Sequence, residues 1–70
     1  MKADKTLLQY KYGSVIETLS ALKGISLRQA LDMFYKSQTY LEMREGVSDM
    51  HCRSDIYLAE EIIREAQGIL

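Results

Sequence analysis

A chain of 70 residues with one cysteine, one histidine and no proline has room for one small core and no internal disulfide. Its single Cys and single His cannot build the familiar structural zinc sites, and its longest apolar run, Ile56–Ala59, is too short to span a bilayer. At 47% hydrophobic and 27% charged the composition is globular, and a net charge of −1 argues against a general nucleic-acid binder.

A core this small barely offsets the conformational entropy of ordering the chain, so regular helix packing and association with itself or another protein are the routes to stability that remain. Residues 1–70 are therefore expected to form a single all-α domain, a compact three- to four-helix bundle. The segment Met1–Lys5 lacks the apolar stretch of a signal peptide, and one unpaired thiol suits the reducing cytoplasm. Charge is uneven along the chain. Residues 1–40 hold six Lys/Arg against three Asp/Glu, and residues 41–70 hold three against seven. Either the halves pack together and their fields cancel, or an acidic C-terminal face meets a basic partner.

The first helix is expected from Asp4, a suitable N-cap, to Leu22, with Gly24 just beyond its end. Leu8, Tyr12, Val15, Leu19 and Leu22 recur at 4-3-4-3 spacing along one face, flanked by Leu7, Ile16 and Ala21. Gly13 lies inside this pattern at a cost of up to about 1 kcal/mol against Ala, and marks a kink or a frayed first segment.

The second helix carries the clearest signature. Ser26-Leu27-Arg28-Gln29 fits a capping box, with Ile25 placed before it as a hydrophobic staple. Leu27, Ala30, Leu31 and Phe34 form its apolar stripe, with Tyr35 at the edge and Lys36 suited to the last turn. Ser37 or Thr39 can cap a short third helix over Tyr40–Glu45, stopped by Gly46. Residues 47–54 show no helical period and read as an irregular or extended segment. If extended, Met50 and Cys52 share a face. Ser54 or Asp55 caps a last helix over Ile56–Gln67 with Leu58, Ala59, Ile62, Ile63 and Ala66 inward. Gly68 ends it, before an apolar Ile69-Leu70 tail.

Residues 49–55 hold the densest reactive set in the chain. Asp49, His51, Cys52 and Asp55 offer atoms suited to zinc, though at no familiar ligand spacing. A Cys/His nucleophile requires the imidazole within reach of the sulfur, and neighbours in an extended chain point apart. The plainer alternative is a connecting loop in which Met50 and Cys52 pack inward while His51 and Arg53 face water. Glu60, Glu61 and Glu65 read as a solvated helix face, because adjacent carboxylates differ by about 100° around the axis.

Five of the six aromatics are tyrosines, whose phenols tolerate half-burial and favour interfaces. They either rim the core, or Tyr35, Tyr40 and Tyr57 form a contact surface with Phe34. The leading expectation is thus a non-enzymatic interaction module without a cofactor, acting as a homo-oligomer or within a hetero-complex. In it Phe34, Tyr35, Tyr40 and Tyr57 anchor the partner, and Asp55, Glu60 and Glu61 steer it. Two alternatives stand beside it. One is a helix-turn-helix regulator built on the second and third helices, whose Tyr40–Glu45 segment has one Arg against two Glu. The other is a metal- or thiol-dependent small enzyme using the 49–55 loop.

The run Ile25-Ser26-Leu27-Arg28-Gln29-Ala30-Leu31, with Phe34-Tyr35, Ser37, Thr39-Tyr40, and later Ser54-Asp55 and Tyr57-Leu58, resembles a family of small bacterial proteins. That family is classed as a domain of unknown function, is common in gut Firmicutes, and is resembled over residues 25 to about 62. The resemblance implies no catalytic residues. It does imply a gene placed beside one for an ADP-ribosyltransferase-like toxin, and so an antitoxin or accessory role.

Overall fold

A computed structural model describes residues 5–68, so the Asp4 cap and the Ile69-Leu70 tail lie outside the described residues. Four α-helices follow one another: α1 (Lys5–Lys23), α2 (Leu27–Tyr35), α3 (Gln38–Glu45) and α4 (Asp55–Gln67). A 3-10 helix over Val47–Cys52 joins the last two, and among the described residues there is no strand. No described helix is long and apolar enough to cross a membrane.

Local chemistry explains the boundaries. Ser26 accepts from the Gln29 N–H while the Gln29 side chain accepts from the Ser26 N–H, closing the expected capping box. Ser37 and Ser54 each accept from the N–H three residues on, opening α3 and α4. The stops at Gly24, Gly46 and Gly68 have φ of 70°, 73° and 71°, left-handed values that cost an L side chain but not glycine. α1 passes through Gly13 as one continuous helix of 19 residues.

α1 is the spine. It packs most extensively on α4 and next on α2, while α3 rests on the 3-10 helix and touches α4. Tyr12, Val15, Ile16 and Leu19 of α1 meet Ala30 and Phe34 of α2, Met43 of α3, and Leu58, Ala59 and Ile62 of α4 in one buried cluster. Lys11 pairs with Asp55 at 2.7 Å, and of the ion pairs among the described residues this one joins the basic first half of the chain to its acidic second half.

The apolar stripes are buried over only part of their width. Leu22, Leu27 and Leu31 lie exposed at 50%, 57% and 48%, and Ala66 is exposed as well. A helix buries only the arc that a neighbour covers, and nothing among the described residues stands beyond those positions. Residues 47–54 are neither loop nor strand over most of their length but a 3-10 helix. Side chains there advance by about 120° instead of alternating, so Met50 and Cys52 do not share a face. Met50 packs on the core and Cys52 is exposed, against the inward placement expected for it.

Candidate interaction surface

Phe34 cannot serve as a contact residue. It is fully enclosed, at 0% exposure, at the centre of a ring cluster that ties three helices together. Tyr12 stands 5.4 Å from both Phe34 and Tyr40, Phe34 5.1 Å from Tyr35 and 5.2 Å from Tyr40, and Tyr35 4.8 Å from Tyr40, all tilted or edge-on. Such geometry aligns positive ring edges with negative faces and adds about 0.5–1.5 kcal/mol per pair. Burial, then the neighbouring phenols of Tyr40 and Tyr35, raise the Tyr12 pKa above 10.0, with the Arg44 guanidinium opposing.

The other proposed anchors divide between two places. Tyr35 is exposed and Tyr40 half-buried, both held at the rim of the ring cluster. Tyr57 makes no ring contact with them; it lies on the outer face of α4 under the Arg53 guanidinium, 5.5 Å from its centroid. Glu60 and Glu61 share that face at spacings of three and four from Tyr57. Glu60 is exposed, Glu61 pairs with Arg64 at 2.7 Å, and Asp55 is engaged by Lys11. The single aromatic and acidic surface expected from the sequence is therefore two smaller ones.

Glu65 does not belong to a solvated face. Its carboxylate accepts from the Gln38 N–H at 2.6 Å, the Thr39 N–H at 3.0 Å and the Thr39 hydroxyl, capping the start of α3 from the end of α4. Free N–H groups at a helix start carry positive potential, which suits a carboxylate. No sequence rule for local caps finds this pairing, because the partners lie 26 and 27 positions apart.

The 49–55 set disperses. No group of three His, Cys, Asp or Glu side chains among the described residues is placed to hold a metal ion, so Asp49, His51, Cys52 and Asp55 form no ligand set. Asp49 and Cys52 are exposed and Asp55 turns to Lys11. His51, expected in water, is half-buried, and its Nδ1 is enclosed without a hydrogen-bond partner. Helices α2 and α3 do join through the two residues Lys36 and Ser37. The only cation on α3, Arg44, lies 5.7 Å from the Tyr40 ring centroid and pairs with Glu45, its pKa raised by the hydrogen bond to Tyr40.

The exposed leucines mark a surface that periodicity had assigned to the core. Leu27 and Leu31 form a ridge beside a groove of about 650 Å³ that Gly13, Ile16, Arg28 and Asp32 also line. On the other flank of Gly13 lies a hollow of about 430 Å³ bounded by Gln9, Tyr10, Ser14 and Glu17. The two meet at Gly13, where an added Cβ would touch nothing within 4 Å. The sequence offers one signal for this surface, Gly13 inside the apolar pattern of α1, and none that separates Leu27 and Leu31 from the enclosed positions of the same stripe. Comparison with models of known families, with curated proteins and with solved structures gives no match for this chain.

Proposed function

We propose that this chain is a non-enzymatic protein–protein interaction module. The observation that carries the reading is the α1–α2 face, where Leu27 and Leu31 stand about half exposed beside an apolar groove. Exposed leucines contiguous with an apolar groove support association more than the singly exposed apolar side chains elsewhere on the domain do. The aromatic rim at Tyr35 and Tyr40 and the α4 face at Tyr57, Glu60 and Glu61 are secondary contacts in this reading. The antitoxin or accessory role implied by the resemblance falls in the same class and would use the same face.

Immobilised wild-type chain and an L27E/L31E variant, matched in circular dichroism, test the proposal. Each is offered free copies of the chain and an extract of cells that express it naturally. Retention by the wild type that the variant loses supports the module. Equal retention by both, or none by either, overturns it.

A further inference from the structure

We infer that the α1–α2 face is the seat of a second copy of this chain, in a two-fold dimer whose helices α1 run side by side at Gly13. The inference rests on the interaction-module reading above and names the partner. Three observations converge. The ridge of Leu27 and Leu31 and the hollow bounded by Tyr10, Ser14 and Glu17 lie on opposite flanks of Gly13. A two-fold axis along α1 therefore lays each ridge over the other copy's hollow, which is the self-complementarity an isologous contact requires.

Charge follows the same pattern. Glu17 borders the hollow and Arg28 lies beside the ridge, and neither pairs with another side chain among the described residues. The same rotation brings Glu17 of each copy to Arg28 of the other, so opposite charges meet twice. Gly13 supplies the third argument. It sits in the interior of a 19-residue helix without positive φ, and no neighbouring atom forbids a side chain there. Glycine weakens a helix interior, so its presence is unexplained within one copy and explained by close approach of a second backbone.

Size sets the strength. At 1.5 Å per residue and about 10 Å per helix width, the exposed sides of α1 and α2 offer roughly 400 Å² per copy. Doubled to about 800 Å² for the pair, that falls short of the roughly 1,000 Å² of a stable specific interface, so the dimer is a weak, reversible one to be sought from roughly tens of micromolar to about 1 mM.

Sedimentation equilibrium of the purified full chain across that range tests the inference. Wild type shifts from monomer to dimer mass. G13L weakens the dimer about 100-fold or more while raising the thermal midpoint of the monomer, which separates lost association from lost folding. E17R and R28E each weaken it about 10-fold, because like charges then face each other twice. Mixing the two variants restores association to within about threefold of wild type, since each mixed pair carries two opposite-charge contacts. A wild-type chain that stays monomeric near 1 mM overturns the inference, as does a dimer indifferent to G13L or a mixture that fails to recover. If such a monomer still captures a host protein that L27E/L31E loses, the module reading survives and the two-fold dimer does not.

Discussion

Removing the Glu65 carboxylate should destabilise the fold far more than removing any other glutamate of α4. In E65A the Gln38 N–H loses an acceptor, and because Gln38 is exposed, water replaces it at little cost. Thr39 is different: it is 2% exposed, so its N–H and hydroxyl are stranded where water reaches poorly. A hydrogen bond to a charged group contributes about 1.5–3 kcal/mol, and a stranded buried donor costs about 1–3 kcal/mol. Discounting for overlap and partial exposure, E65A should lose about 2–3 kcal/mol. E65Q, which keeps one neutral acceptor, should lose about half of that.

A domain of this size holds roughly 3.5–10 kcal/mol in total, so the loss is a large fraction, equivalent to a midpoint drop of about 10–20 °C. Thermal and urea melts by circular dichroism measure it, with E60A as the control, since Glu60 is exposed and should shift stability by under about 0.5 kcal/mol. A T39V/E65Q double-mutant cycle should give a coupling above about 0.5 kcal/mol. If E65A melts with E60A, the capping argument is wrong.

F34A should cost about 3–5 kcal/mol and leave little folded protein at 37 °C, because Phe34 touches Tyr12, Tyr35 and Tyr40 from a fully enclosed site; a cooperative native-like melt would refute its central place. Stability should fall as pH rises above 10.0, the unfolded-state value. There the unfolded chain releases the Tyr12 proton while the folded chain, with its raised pKa, retains it. Alkaline urea melts of wild type and Y12F should converge in slope only if this attribution is wrong. Cys52 is exposed and so should label completely with a thiol reagent in the native protein, and C52S should change stability by less than about 0.5 kcal/mol. S37A should cost about 0.5–2 kcal/mol, since it removes both the α3 cap at 3.0 Å and the hydroxyl bond to the Phe34 carbonyl at 2.6 Å.

Helix boundaries were legible because capping is local. Ser26, Gln29, Ser37, Ser54 and the glycines at 24, 46 and 68 satisfy or terminate backbone groups within three or four residues of themselves, which a linear reading contains. The candidate surface was largely illegible for the opposite reason. Phe34 and Leu31 look alike on the stripe of α2, yet one is enclosed and the other half exposed, because only the positions of α1 and α3 distinguish them. His51 and Cys52 exchanged their expected places once residues 47–52 took three residues per turn instead of two.

What the amino-acid order determined by itself was the all-α class, the caps and stops, and a buried set built on Val15, Leu19, Leu58 and Ile62. What only tertiary packing decided was which flank of α2 stayed open, and that Glu65 of α4 would close the start of α3. The physical reason is range. Backbone hydrogen bonding acts over a single turn, whereas burial and a cross-helix cap depend on where a distant segment comes to rest.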